Sequence, residues 1–177
     1  MSESQTINLS DFVRDILDFP KPGIIFKDIT PLLLNHQAFE SSIEQFADHY
    51  RDQKIDVIAA AEARGFLFAA PLALRLGVGM VPIRKPGKLP FDKHSYSYEL
   101  EYGTDTLEMH IDGIEKGQRV LVIDDLLATG GTMKACCEMI ETCQATIAGC
   151  GFVINLKFLP GEQRLSQYPI FSLIEYE

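Results

Sequence analysis

Along the chain, short unbroken apolar runs are separated by longer stretches in which apolar residues recur every three or four positions. The runs at 55–61, 78–84, 119–124, 146–154 and 171–175 scarcely alternate with polar residues. A strand with one wet face alternates, so these runs predict strands buried on both faces. Between them, Phe39, Ile43, Phe46, Ala47 and Tyr50 share one face of a helix predicted over 37–51, with Asn35 as its cap. Further helices are predicted over 66–76 and 130–142, and a turn with a short helix over 160–167. The order predicts an α/β fold: a mostly parallel central sheet flanked by helices, with its site at the carboxyl edge of the strands. Segments 95–102 and 104–111, either side of Gly103, predict an inserted β-hairpin.

The N-terminal part is less regular. Ser10 is placed to cap a helix over 11–18 with Phe12, Val13, Ile16 and Leu17 on one face. Residues 19–33, FPKPGIIFKDITPLL, combine three prolines and a glycine with Ile24, Ile25, Phe26 and Ile29. That is too apolar for a solvated loop. The segment either folds onto the core as a lid or presents an aromatic ring to a ligand; Phe26 is open to both readings. The expectation is a single domain over 1–177, with 1–34 as N-terminal helix and hood and 84–111 as a flexible loop and hairpin insertion.

Composition adds bounds. The 177 residues are 46% hydrophobic and 23% charged, as in ordinary globular proteins. Sixteen basic against 25 acidic residues give a net charge of −9, which argues against nucleic acid or an anionic membrane as partner. No apolar run approaches the roughly 20 residues that span a bilayer, and the first ten residues, MSESQTINLS, lack a signal-peptide core. Cys136, Cys137, Cys143 and Cys150 lack zinc-pair spacing. A reducing cytoplasm is the expected location.

Candidate chemistry concentrates at residues 120–132, VLVIDDLLATGGT. A buried run leads into Asp124 and Asp125, and the strand is expected to end there. Ala128, Thr129, Gly130, Gly131 and Thr132 then supply consecutive N–H groups, two hydroxyls and two residues with no Cβ. At a helix N-terminus that set cradles a phosphate. The pairing of acids with a phosphate cradle points to a phosphorylated sugar; no Walker A pattern is present. Upstream, Glu62-Ala63-Arg64-Gly65 links a strand to a helix, and Arg64 either meets an anionic ligand or pairs with Glu62. Arg84, Lys85, Lys88 and Lys93 fall within ten residues of a loop marked by Pro86, Gly87 and Pro90. The loop is either a solvated charge run or a cover for a polyanionic substrate.

The 120–132 string resembles the phosphoribosyl-pyrophosphate (PRPP) signature of the type I phosphoribosyltransferases. FPKPGIIFKDITPLL, KPGKLP (85–90), LEYG (100–103) and FSLIEYE (171–177) further resemble the adenine phosphoribosyltransferases of that family. The resemblance implies a Rossmann-like sheet beneath a hood, and transfer of the phosphoribosyl group from PRPP to adenine, giving AMP and pyrophosphate. It implies that Asp124 and Asp125 hold the ribose hydroxyls and Ala128–Thr132 the 5-phosphate. Pyrophosphate would fall to Ala63, Arg64, Gly65, Arg84, Lys85 and Lys88. In the family the bond before the arginine of this turn can be cis. Adenine would stack on Phe26, with the backbone of Ile25 and Lys27 reading its edge. Glu101 is the implied proton-handling residue, assisted in catalysis by Arg64 and Lys88. Mg²⁺ is implied as cofactor, held mainly by substrate and water with no certain direct protein ligand, and a homodimer is implied as the assembly. Ala63 stands where the family often has serine, and Phe91-Asp92-Lys93-His94 departs from the family's loop. Two other readings stay open: transfer to another base such as hypoxanthine or xanthine, and a non-catalytic PRPP sensor.

Overall fold

The computed structural model describes residues 7–99 and 103–177. A 3-10 turn, Leu9–Phe12, leads into β1 (Arg14–Leu17), β2 (Ile25–Asp28), α1 (Thr30–Leu34) and α2 (His36–Tyr50). There follow β3 (Val57–Ala61), α3 (Gly65–Leu76), β4 (Gly79–Ile83), β5 (Lys93–Glu99) and β6 (Thr104–His110). The chain continues through β7 (Arg119–Leu127), α4 (Gly131–Thr142), β8 (Thr146–Leu156), α5 (Gly161–Arg164) and β9 (Ile170–Tyr176). Five strands form one parallel sheet in the order β4-β3-β7-β8-β9. β5 and β6 form an antiparallel hairpin, as the segments either side of Gly103 predict.

The unbroken apolar runs are explained by two cores. Val57, Ala59 and Ala61 of β3, with Val120 and Val122 of β7, pack against Met133, Cys136, Cys137 and Ile140 of α4 and Leu107 and Met109 of β6. Their neighbours Ile58, Ala60, Leu121 and Ile123 face the other way, onto Phe46 and Tyr50 of α2 and Phe68 and Leu72 of α3. All nine residues Val57–Ala61 and Val120–Ile123 therefore leave water, at about 1.5–3 kcal/mol for each large side chain, while the edge strands β4 and β9 leave Gly79, Pro82 and Glu175 exposed. Asn35 caps α2 as expected, accepting from Ala38 N–H at 3.0 Å and contributing about 1 kcal/mol. Among the described residues no helix is long and apolar enough to cross a membrane.

Two expected elements differ. Residues 11–18 are not a helix. Asn8 caps the 3-10 turn, and β1 then pairs antiparallel with β2, Ile16 opposite Phe26. The helical spacing of Phe12, Val13, Ile16 and Leu17 is overridden by a partner strand, and Leu17 stays exposed. β7 also does not stop at the acids. Its ladder with β3 ends at Ile123, opposite Ala60, but its ladder with β8 runs on to Leu127, opposite Asn155. The two acids therefore lie within a strand that is paired on one side only.

Candidate active site

Past the end of β3, the acids meet a turn instead of a neighbouring strand. Glu62, Ala63 and Arg64 form one wall of a cavity of about 290 Å³, and the run from Asp124 to Met133 forms the rest. The sequence keeps these walls together through Gly65. A Cβ at that first residue of α3 would stand 2.9 Å from the Ile123 carbonyl oxygen and 3.0 Å from Asp124 Oδ1. Only glycine lets α3 start directly against β7. The cis peptide of this turn is Glu62–Ala63, one bond upstream of the position the resemblance indicates.

Arg64 does not pair with Glu62. Its Nη2 stands 3.0 Å from Asp125 Oδ2, without the alignment of a hydrogen bond, and Glu62 is taken by Arg84. The same guanidinium lies over the Phe26 ring, with Cζ 5.1 Å from the ring centre. Phe26 is half-buried and also meets Phe19 edge-on at 5.2 Å. The hood thus reaches the cavity through an aromatic–guanidinium contact.

The two acids share a strained electrostatic position. Asp124 Oδ1 accepts from Asp125 N–H at 2.9 Å, and Asp125 is 5% exposed. Burial, then the Asp125 charge, holds the Asp124 carboxyl well above the usual aspartate range. Burial raises Asp125 too, against the pull of Arg64. The site is poised to receive groups that favour carboxylates, such as hydroxyl donors or cations.

Ala128, Thr129, Gly130, Gly131 and Thr132 close the cavity at the start of α4. Gly130 takes the left-handed conformation, φ +76°. It rests on Gly161 at the start of α5, where a Cβ would approach the Ala128 carbonyl oxygen to 2.5 Å. Gly161 is a support that sequence reading missed; Pro160-Gly161 reads only as a turn.

The basic loop is brought less close than expected. Arg84 is paired with Glu62, Lys85 Nζ donates to Asp105 Oδ2 at 2.7 Å, and Lys93 Nζ stands 3.1 Å from Glu108 Oε2. Glu108, 6% exposed, also accepts from Gly87 N–H at 3.0 Å. Lys88 is exposed and has no ion pair among the described residues. Neither Arg84, Lys85 nor Lys88 lines the cavity. Counting loop cations could not reveal this, because Asp105 and Glu108 sit on β6, beyond the loop. Ile25 is exposed, and the Lys27 side chain turns aside, its Nζ 2.7 Å from Asp15 Oδ1 and 3.8 Å from the Tyr176 ring centre. Glu101 lies outside the described residues.

A parallel sheet whose one-sided strand carries paired acids, a glycine-rich helix start and a facing arginine turn is the architecture of a phosphoribosyltransferase. A phosphoribosyl transferase domain matches residues 32–173. The adenine phosphoribosyltransferase of Rhodopirellula baltica is 61% identical over 97% of this chain and 84% of its own length. The crystal structure of the adenine phosphoribosyltransferase from Thermoanaerobacter pseudethanolicus superposes with a TM-score of 0.92 at 54% identity, covering 95% of this chain and 98% of that one. The Saccharomyces cerevisiae enzyme, solved with adenine and an imino-altritol bisphosphate, gives 0.88 at 40% identity, covering 93% and 96%. The chain belongs to the adenine phosphoribosyltransferases.

Proposed function

We infer that this chain transfers the 5-phosphoribosyl group of PRPP to adenine, forming AMP and pyrophosphate in purine salvage. The observation that carries the reading is the single cavity shared by Arg64, Asp124, Asp125 and the 128–132 loop, with Phe26 of the hood against Arg64. Purine N9 attacks the anomeric carbon as the bond to pyrophosphate oxygen breaks, through an oxocarbenium-like state. Asp124 and Asp125 accept hydrogen bonds from the ribose 2′- and 3′-hydroxyls and favour positive charge on the ring. The N–H groups of 128–132 fix the 5-phosphate. Arg64, with the Ala63 and Gly65 backbone, meets the leaving pyrophosphate. Lys88, without an ion pair among the described residues, is the loop cation left to join it, since Arg84 and Lys85 are held by Glu62 and Asp105. Phe26 stacks on adenine, and Ile25 and Lys27 present backbone groups to its edge. Glu101 handles the proton on the imidazole side of the base.

No group of three or more His, Cys, Asp or Glu side chains fit to hold a metal occurs among the described residues. Two carboxylates on an open cavity nevertheless suit Mg²⁺, which keeps water and substrate oxygens and takes few protein ligands. Beside Asp124 and Asp125, Mg²⁺ arriving with PRPP would offset the charge of the pyrophosphate. The whole chain acts in this reading as one domain. A homodimer is supported by Leu67 and Leu74, two turns apart on α3 and both exposed. A cytoplasmic location is supported by four free cysteines, with the Cys137 and Cys150 sulfurs 3.6 Å apart and not joined as a disulfide.

The test is to incubate purified protein with PRPP, Mg²⁺ and adenine, hypoxanthine or xanthine in turn, and to follow nucleotide and pyrophosphate. AMP formed from adenine at a kcat/KM far above IMP or XMP supports the reading. Preference for another base overturns the adenine assignment, and PRPP binding without turnover points to a sensor.

A further inference from the structure

Tyr98, on β5, belongs to none of the assigned sites, yet its hydroxyl reaches both the phosphate loop and the carboxylate that holds the basic loop. It lies 3.3 Å from Thr132 Oγ1, the last side chain of the phosphate loop. It also donates to Asp105 Oδ2 at 3.4 Å, and that same carboxylate oxygen holds Lys85 of the basic loop at 2.7 Å. The ring is half-buried and packs against the core beneath α4. One hydroxyl thus stands between the phosphate loop, the hairpin and the basic loop.

We propose that Tyr98 is a positioning residue for the 5-phosphate, its hydroxyl passing a hydrogen bond to Thr132 when the phosphate arrives. The argument rests on the reading of 128–132 as the phosphate loop, and follows from donor counting. Tyr98 and Thr132 each own one hydroxyl hydrogen, and Asp105 can only accept. Without ligand, Tyr98 gives its hydrogen to the carboxylate, and Thr132 satisfies itself on the Tyr98 oxygen. A phosphate at the loop claims the Thr132 hydrogen. The Thr132 oxygen is then free to accept, and Tyr98 turns its hydrogen from Asp105 to Thr132. Lys85 keeps Asp105 satisfied through the exchange. Burial raises the phenol above the ordinary tyrosine range, so the hydrogen is present at neutral pH. A hydroxyl whose oxygen accepts a bond donates a stronger one, so Tyr98 tightens the grip of Thr132 on phosphate.

Tyr98→Phe removes the hydroxyl and keeps the packed ring. We expect its KM for PRPP and its Kd for ribose 5-phosphate to rise about 5- to 10-fold, the worth of one buried hydrogen bond. KM for adenine and Kd for pyrophosphate should hold within about twofold, and kcat should change much less than KM for PRPP. Calorimetry with ribose 5-phosphate and with pyrophosphate separates the 5-phosphate from the leaving group. In a Thr132→Val background the effect of Tyr98→Phe should vanish, since the relay has already been cut. Unchanged ribose 5-phosphate affinity in Tyr98→Phe, or an equal loss in the valine background, overturns the proposal. Loss of adenine and pyrophosphate affinity to the same degree as ribose 5-phosphate also overturns it, by showing a general structural role. If wild-type protein binds neither ribose 5-phosphate nor PRPP, the phosphate-loop reading itself has failed.

Discussion

The guanidinium carbon of Arg64 stands 5.1 Å from the centre of the Phe26 ring, across the gap between the hood and the sheet edge. The same side chain pairs with Asp125 at 3.0 Å. One residue therefore joins the ring proposed to stack the base to the acids proposed to hold the sugar. Arg64→Gln removes this charge from both. The expected result is a fall in kcat/KM for PRPP on the order of 100-fold, as for loss of a charge-assisted contact to a developing anion. Arg64→Lys should restore less than half of the lost free energy, since ammonium lacks the planar fork. Steady-state kinetics with each substrate varied in turn would check both.

Phe26→Ala should raise KM for adenine about 10-fold or more, the worth of one stacked base at about 1–3 kcal/mol. KM for PRPP should move little. Phe26→Tyr should retain most of the affinity. If adenine and PRPP constants rise together in the alanine variant, the ring is holding the hood in place and is not the stacking surface.

Gly161→Ala tests a residue that does not line the cavity. Its Cβ would meet the Ala128 carbonyl oxygen at 2.5 Å and Leu127 Cδ1 at 2.7 Å. Backbone cannot swing aside as a side chain can, so the 128–132 loop must shift, at about 1–3 kcal/mol. A lower melting temperature and weaker ribose 5-phosphate binding are expected together, with adenine affinity the less affected.

Asp124→Asn should trade activity for stability, in a pH-dependent way. Burial raises the Asp124 carboxyl above the unfolded value of about 3.9. Between those two values the folded chain binds more protons than the unfolded one, so its stability falls as pH rises. Asparagine has no such slope and keeps an oxygen for the Asp125 N–H. The variant should therefore melt a few degrees above wild type at pH 7, with the gain shrinking towards pH 4. Turnover at pH 7 should fall sharply. Calorimetric melting at both pH values, beside an AMP-formation assay, would show it.

The legible parts were those in which local pattern and tertiary role agree. Unbroken apolar runs such as Val120–Ile123 have one physical explanation, and the sheet follows from it. The acids, Arg64-Gly65 and the 128–132 loop are neighbours in sequence or follow directly on strands, so topology alone assembles them. What failed depended on remote partners. β1 is a strand because β2 lies beside it, and no period in residues 11–18 records that. Arg84, Lys85 and Lys93 looked like a free basic surface until Glu62, Asp105 and Glu108 arrived from other elements. Gly161 and Tyr98 act through contacts more than thirty residues away in sequence.

The unequal ladders of β7 carry a consequence for how this gene can vary. From Asp124 to Leu127 the strand is fastened to β8 alone, a span of roughly 10 Å at 3.3 Å per residue step. Those four residues act as a ruler between the first acid and the 128–132 loop. Side chains alternate faces along a strand, so adding or deleting one residue there exchanges inward for outward at every later position of the strand and displaces the loop that follows. Substitutions within the ruler can be graded in their effects. A change in its length cannot, and functional lineages should hold that interval fixed even where its side chains drift.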